Sequence, residues 1–155
     1  MLVPLATLVL LSVLTGLSVI DLRTHRLPDI LTLPLILAGI LANGFLFSAW
    51  LGSMAGAALG YGSLVLLEVS YRHLRKRDGL GRGDAKLLAA GGAWCGAGLL
   101  PYILLLASLA ALVNIALVAV LRRRWPDGSE AHAFGPWIAL GIALCWIYRI
   151  AIPAA

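Results

Sequence analysis

Two aspartates stand at the ends of long apolar runs, and their carboxyl groups are the side chains best placed to do chemistry. Asp21 follows the apolar run of residues 1–20, and Asp84 lies in the segment Gly-Arg-Gly-Asp-Ala-Lys at 81–86, directly before another apolar run. An ionised aspartate costs about 3 kcal/mol at the centre of a membrane-spanning helix, so an acid near a bilayer indicates a functional site by default.

Two carboxyl groups that meet in a low-dielectric setting can divide the work of hydrolysis between them. Both cannot ionise cheaply at close range, so they share a proton and titrate as a pair. The ionised partner can activate water as a general base, while the protonated partner polarises or protonates a scissile amide. Asp21 and Asp84 are therefore candidates for a catalytic pair.

The composition places these acids in a membrane protein. The chain has 155 residues, of which 61% are hydrophobic and 12% are charged, and its mean hydropathy is +0.97. Soluble domains carry about twice that charged fraction. The net charge of +5 comes from cations in short loops between apolar runs, which favours contact with anionic lipid headgroups over contact with nucleic acid.

Six apolar runs predict an all-α, polytopic membrane protein with about six transmembrane helices. The runs cover residues 1–20, about 30–48, 51–70, 84–100, 101–121 and 136–152, each near the length that crosses a bilayer. We expect them to form a single membrane-embedded domain over residues 1–155. The first run has no basic segment before it and no cleavage site of the A-x-A type, which indicates a retained span rather than a signal peptide.

The cations lie in alternate loops, and this pattern predicts the orientation. Loops 1–2, 3–4 and 5–6 should face the cytoplasm, with both termini outside, because cytoplasmic loops carry the excess of Lys and Arg. Asp21 and Asp84 then lie on the same side at similar depth, and they can meet if helices 1 and 4 are neighbours. The cations in these loops are Arg23, Arg26, Arg72, Arg75, Lys76, Arg77, Arg82, Lys86 and Arg122 to Arg124, whereas Arg149 falls on the other side.

Three residues around Asp84 are candidates for supporting roles. Gly81 and Gly83 would let the backbone approach a substrate strand or another helix closely. Lys86 either biases the pKa of the pair by its charge or extends to the lipid headgroups. Residues that would bind a substrate cannot be identified from the sequence.

Small residues at four-residue spacing predict close helix packing. Gly52, Gly56 and Gly60 form a stripe on the third span, and Gly92 and Gly96 repeat the spacing on the fourth. Such stripes allow the backbones of two membrane helices to approach.

Structural roles account for most of the other polar and aromatic residues. An aspartate at a helix N-terminus is more often a cap than a catalyst, and Asp29 fits that role. Glu68 and Asp78 are expected to pair with neighbouring arginines. Trp137 at one end of the sixth span, with Trp146 and Tyr148 at the other, fits the aromatic belts of a membrane interface.

No cofactor or metal site is expected. His25, His73 and His132 have no metal-ligand spacing, and Cys95 and Cys145 form no C-x-x-C pair.

Three segments together closely resemble the type IV prepilin peptidases, the membrane-embedded aspartic proteases of the G-x-G-D class. Asp21 is followed by Leu-Pro-Asp-Ile-Leu-Thr-Leu-Pro at 27–34, and residues 81–94 read Gly-Arg-Gly-Asp-Ala-Lys-Leu-Leu-Ala-Ala-Gly-Gly-Ala-Trp. Phe-Gly-Pro at 134–136 is similar to a late motif of the family. The resemblance covers roughly residues 15–150.

The resemblance implies an activity, a substrate and a catalytic pair. The aspartates of the family's two main motifs fall on Asp21 and Asp84. The implied reaction is cleavage of the short basic leader of prepilins or pseudopilins, after a glycine, at the cytoplasmic face of the bacterial inner membrane. Many bacterial members carry an N-terminal region with paired C-x-x-C motifs and N-methyltransferase activity. This sequence has no such motifs, so we expect peptidase activity without methylation.

Two other functions remain open from the sequence. A catalytically inactive membrane assembly factor for pili or type II secretion would bind prepilin without cleaving it. A small ion or proton transporter would use the aspartates as a relay, although the inverted repeats common in transporters are not evident.

Overall fold

The computed structural model describes residues 2–75, 81–123 and 133–152, and in these ranges the chain is helical, with no β-strand. This confirms the all-α fold. Predictions for Lys76, Arg77, Asp78, Arg124 and His132 lie outside the described residues. The helices are α1 (Leu2–Thr24), α2 (Asp29–Phe47), α3 (Trp50–Arg75), α4 (Arg82–Cys95), α5 (Leu100–Arg122) and α6 (Gly135–Ala151), with a 3₁₀ turn at Ala97–Leu99.

In the described parts of the chain, four helical segments are long and apolar enough to cross a membrane. They are Leu2–Thr24, Asp29–Phe47, Trp50–His73 and Ala97–Leu121, and the shorter helix α6 is also apolar. The protein is therefore a multi-pass membrane protein, as the sequence predicted. Pro101 lies in the first turn of α5, where a proline does not interrupt the helical hydrogen bonds.

The fourth helix ends before the predicted bound at residue 100. Helix α4 has 14 residues and ends at Cys95, which gives a length of about 21 Å at 1.5 Å per residue. It is therefore shorter than the hydrocarbon core of a bilayer, which is about 30 Å thick. The chain leaves the helix at Gly96, whose φ of +85° lies in the region that favours glycine.

Helix α4 forms the centre of the bundle. Its residues from Leu87 to Cys95 are all buried, and it packs chiefly against α3, α2 and α6. An all-round apolar surface is what a fully enclosed helix requires. The outward faces of α1 and α5 instead carry exposed leucines such as Leu8 and Leu105, as expected for surfaces in contact with lipid.

Two glycines of the predicted stripe bring α3 against α4. A Cβ atom on Gly60 would lie 2.6 Å from the carbonyl oxygen of Leu88, and one on Gly56 would overlap the carbonyl of Gly92. Nothing lies within 4 Å of the corresponding position on Gly52. The stripe therefore packs backbone against backbone at two of its three positions.

Side chains of three other helices satisfy the last carbonyls of α4. A helix leaves four carbonyls without intrahelical partners at its C-terminus. Ser53 Oγ donates to the Ala93 carbonyl (2.6 Å), and Asn43 Nδ2 donates to both the Ala93 and the Trp94 carbonyls (2.7 Å to the latter). Arg149 Nη1 also donates to the Trp94 carbonyl, at 3.1 Å. This short helix therefore ends inside the protein without unpaired carbonyls at those two positions.

Trp146 does not lie at a membrane interface, contrary to prediction. It is fully buried, its ring meets that of Trp94 edge-on at 5.2 Å, and its Nε1 donates to Thr7 Oγ1 at 2.9 Å. Tyr148, on the same helix, is exposed. Trp146 is therefore a core residue that joins α6 to α1 and α4.

We predict that Gly60→Ala destabilises the protein whereas Gly62→Ala does not. The added methyl group at position 60 meets the Leu88 carbonyl, and overpacking of this kind costs about 1–3 kcal/mol. At position 62 nothing lies within 4 Å of the new Cβ. Thermal unfolding in detergent should show a lower Tm for Gly60→Ala, by about 5 °C, and an unchanged or higher Tm for Gly62→Ala. Equal Tm values would contradict the backbone contact between α3 and α4.

Candidate active site

Asp21 lies inside the last turn of α1 rather than in a connector after the helix. The helix ends at Thr24, and the next residue, His25, has a left-handed backbone with a φ of +52°. Leu22 and Arg23 favour helix, and the charge of Arg23 is favourable at a helix C-terminus. Asp21 is 5% exposed, so its carboxyl group points into the protein.

The N-terminus of α6 holds the Asp21 carboxyl group. The Gly135 N–H donates to Asp21 Oδ2 at 3.0 Å, and the described residues give Oδ1 no donor. This bond fixes the position of the carboxyl group at the first residue of α6. Position 135 must be glycine here, because a Cβ atom would lie 2.6 Å from Oδ2.

Asp84 lies in the first turn of α4, outside the four spanning helices, and is half-buried. Gly81 is the N-cap residue, and its carbonyl accepts a hydrogen bond from the Asp84 N–H at 3.0 Å. Burial, and to a smaller extent the negative charge of Asp21, raises the pKa of Asp84 to about 6. The structure thus brings the two predicted carboxyl groups within electrostatic reach of each other.

The route by which the two acids meet differs from the expected one. Helices α1 and α4 do not pack extensively against each other; both pack against α2 and α6. Asp21 lies near the C-terminus of α1 and Asp84 lies at the N-terminus of α4. Their side chains can therefore approach each other at one end of the bundle without extensive packing between the two helices. The N-terminus of α6 completes the site there.

The connector between α1 and α2 is fastened to the first turn of α4. A Cβ atom on Gly83 would lie 3.0 Å from Leu27 Cβ, so glycine at this position lets the connector lie close to α4. Gly81 has room for a side chain, since a Cβ there would lie 3.8 Å from Asp84 Oδ2. Close packing therefore explains the glycine at 83 but not the one at 81.

Lys86 and Asp29 form an ion pair that the sequence did not predict. Lys86 Nζ lies 2.6 Å from Asp29 Oδ1. Asp29 is not the cap of α2, because the N-cap position is Pro28 and no side chain caps this end. Asp29 does lie in the first turn, where a negative charge is favourable. The pair ties the start of α2 to α4 two residues after Asp84.

Glu68 pairs with arginines, as predicted. Its buried carboxylate accepts a hydrogen bond from Arg72, and Oε2 lies 3.9 Å from Arg82 Nε. The second contact joins α3 to the start of α4. No group of three His, Cys, Asp or Glu residues that could hold a metal ion occurs in the described ranges.

The sequence reasoning missed two residues, Gly135 at the site and Asn43 at the opposite end of α4. Gly135 was noticed only as part of a motif, since nothing in the sequence tells which N–H will meet Asp21. Asn43 had a visible signal, because it is a single amide inside the apolar run of α2. An isolated amide in a span indicates a hydrogen bond between helices.

The comparisons with known proteins agree on one family. Residues 8–116 match the sequence profile of the type IV leader peptidase family. The chain is similar to three proteins named prepilin leader peptidase/N-methyltransferase. It is 44% identical to the one from Pectobacterium carotovorum subsp. carotovorum over 135 residues, which cover 86% of this chain and 48% of the relative. It is 46% identical to the one from Escherichia coli strain K12 over 131 residues (81% of this chain, 55% of the relative) and 40% identical to the one from Dickeya chrysanthemi over 147 residues (94% of this chain, 51% of the relative). The chain spans about half the length of these relatives. No solved structure matches it.

We predict that the Asp84 carboxyl group titrates near pH 6 and that Asp21→Asn lowers its pKa. The substitution removes the charge of Asp21 but leaves the burial, which is the larger cause, so the pKa should fall only part of the way towards 3.8. Infrared or ¹³C NMR titration of the carboxyl groups would measure this. An unchanged pKa in Asp21→Asn would contradict the coupling.

The same shift predicts how stability depends on pH. The pKa of Asp84 is 3.8 in the unfolded chain and about 6 in the folded protein. Between pH 3.8 and pH 6 the folded state therefore binds more protons than the unfolded state. The contribution of Asp84 to the free energy of unfolding is therefore fully present below about pH 4 and is lost as the pH rises to about 6. Comparison with Asp84→Asn, which cannot titrate there, isolates this contribution.

Proposed function

Because the chain belongs to the type IV leader peptidase family, we propose that it is an aspartic endopeptidase that removes the leader of type IV prepilins or pseudopilins, with Asp21 and Asp84 as its catalytic pair. The supporting observation is the arrangement of the two acids. One carboxylate is fixed by the Gly135 N–H, and its charge disfavours ionisation of the other.

The two environments suggest different roles for the two acids. Asp84, whose pKa is raised, acts as the general acid, and Asp21 acts as the general base. Asp21 takes a proton from water as the water oxygen bonds to the scissile carbonyl carbon, while Asp84 donates its proton to the carbonyl oxygen. Collapse of the tetrahedral intermediate breaks the C–N bond. The proton held by Asp21 passes to the leaving amine, and one hydroxyl of the intermediate returns its proton to Asp84, which restores both acids to their starting states.

A cavity at the same end of the bundle as the aspartates supports peptide binding there, and neither aspartate is among its lining residues. It has a volume of about 660 Å³, and its walls come from the end of α1, the connector and the start of α2. The lining residues are Ile20, Thr24, Arg26, Leu27, Pro28 and Asp29.

The basic residues support a cytoplasmic location for the active site. Arg23, Arg26, Arg72 and Arg82 belong to the same end of the bundle as the two aspartates, and Lys and Arg are enriched on the cytoplasmic side. In this orientation the enzyme cleaves its substrates after a glycine at the inner face of the bacterial inner membrane, and both termini lie outside.

The absence of methyl transfer stays a prediction. The names of the relatives include an N-methyltransferase, and the chain matches about half of their length. Incubation of cleaved prepilin with a labelled methyl donor and these 155 residues should yield no methylated product.

We predict that Asp21→Asn and Asp84→Asn each abolish prepilin cleavage, with a loss of about 10³-fold or more, because the pair acts as a unit. Purified protein in proteoliposomes is incubated with a prepilin, and N-terminal sequencing of the product locates the cleaved bond. Asp29→Asn is the matched control; it should remain active because an exposed ion pair contributes at most about 1 kcal/mol.

Cleavage by either catalytic variant would exclude that residue from the pair. A wild-type protein that retains prepilin uncleaved through purification would instead indicate an assembly factor. Comparison of Tm values separates loss of chemistry from loss of folding.

We further predict that Gly135→Ala lowers kcat by about 10- to 100-fold with little change in KM. The new methyl group would displace Asp21 Oδ2, and a misplacement of about 1 Å can cost a factor of 100. Gly98→Ala is the matched control, since nothing lies within 4 Å of a Cβ at that position. Full activity of Gly135→Ala would contradict the role of the Gly135 N–H.

A further inference from the structure

A second cavity lies at the opposite end of the bundle from the aspartates. It has a volume of about 660 Å³ and is bordered by the α2–α3 turn, the segment between α4 and α5, and the end of α6. Three glycines among its lining residues leave it open. The residues that matter for its chemistry are Phe47, Gly52, Gly96, Gly98, Tyr148 and Arg149.

The cavity contains a half-buried cation held in a fixed position. Arg149 Nη1 donates to the Trp94 carbonyl at 3.1 Å, and the Arg149 Cζ atom lies 4.9 Å from the centre of the Phe47 ring. A guanidinium has five N–H donors, so most of them remain available. Among residues 2–75, 81–123 and 133–152, no carboxylate lies within ion-pair distance of Arg149.

This arrangement favours an anion with several acceptor oxygens. Removing a charge from water is costly unless a counter-charge is present. Guanidinium groups match phosphate geometry through paired hydrogen bonds. The Trp94 carbonyl and the Phe47 ring hold the guanidinium in place, so little conformational freedom would be lost when an anion binds.

An apolar groove adjoins the cavity. It has a volume of about 520 Å³, lies between α5 and α6, and shares Leu99 and Tyr148 with the cavity. From Leu99 to Leu106 it follows α5 for about 10 Å at 1.5 Å per residue. The other lining residues are Tyr102, Leu144 and Cys145. A cationic cavity that continues into an apolar groove fits a molecule with an anionic head and a hydrocarbon tail.

We propose that this end of the protein binds a phospholipid, with the phosphate at Arg149 and one acyl chain in the groove between α5 and α6. The position along the bundle agrees with this ligand. Trp50, Tyr102 and Tyr148 are exposed at the same end, and such residues lie at headgroup depth. The site is remote from the aspartates and does not depend on the proposed peptidase activity.

The lipid site is tested by thermal unfolding of the full chain in detergent with three additives. These are phosphatidylglycerol, a diacylglycerol with the same acyl chains, and inorganic phosphate. Phosphatidylglycerol should raise the apparent Tm by about 5 °C, because a ligand bound to the folded state stabilises it. Diacylglycerol lacks the phosphate and inorganic phosphate lacks the chains, so neither should give more than a small part of that shift.

Variants locate the site. Arg149→Gln should lose the shift caused by phosphatidylglycerol, and Arg149→Lys should retain part of it. Gly98→Leu fills the cavity from a position with nothing within 4 Å of the new Cβ, and it should also abolish the shift. Gly62→Leu, equally unobstructed but outside the cavity, should keep it.

Each contrary outcome overturns the proposal. An equal shift with diacylglycerol would show that the phosphate is not recognised, and an equal shift with inorganic phosphate would show that the ligand is a free anion. A full shift in Gly98→Leu would place the lipid elsewhere. Arg149 also donates to the Trp94 carbonyl at the end of α4, so Arg149→Gln could prevent folding. In that case the result for Gly98→Leu decides whether the lipid binds in this cavity.

Discussion

The structure depends on the satisfaction of backbone carbonyls at the C-terminus of α4. This helix stops at Cys95, and the residues of its last turn are buried. Asn43, Ser53 and Arg149 reach in from α2, α3 and α6 to donate to them. An unpaired buried polar group costs about 1–3 kcal/mol, so these bonds are what allow a helix to be short and central at the same time.

Helix termini also organise the other end of the bundle. Asp84 lies in the first turn of α4, and the first residue of α6 donates its N–H to Asp21. Both acids therefore face the partial positive charge of a helix N-terminus. Asp21 receives a backbone donor from Gly135. Burial, and to a smaller extent the charge of Asp21, raises the pKa of Asp84.

The sequence predicted the side of the bundle on which the two acids lie, but not how they meet. Alternation of apolar runs was enough to place Asp21 and Asp84 at one end, because each span reverses the chain. Hydropathy did not detect the end of α4, since Leu99 and Leu100 continue the apolar run beyond Gly96. Trp146 was misplaced because an aromatic residue near the end of a span looks the same at an interface and in a core. The hydrogen bond of Gly135 depends on the arrangement of α1 and α6, which no local pattern encodes.

The backbone contact of Gly56 and Gly60 with α4 has a consequence for motion at the site. Where two main chains touch directly, no rotamer change can open a gap between them. Helices α3 and α4 must then shift as one rigid unit that carries Asp84. The α1–α2 connector is held against this unit at the start of α4 by one ion pair and the packing of Leu27, so it can move without separating the two main chains.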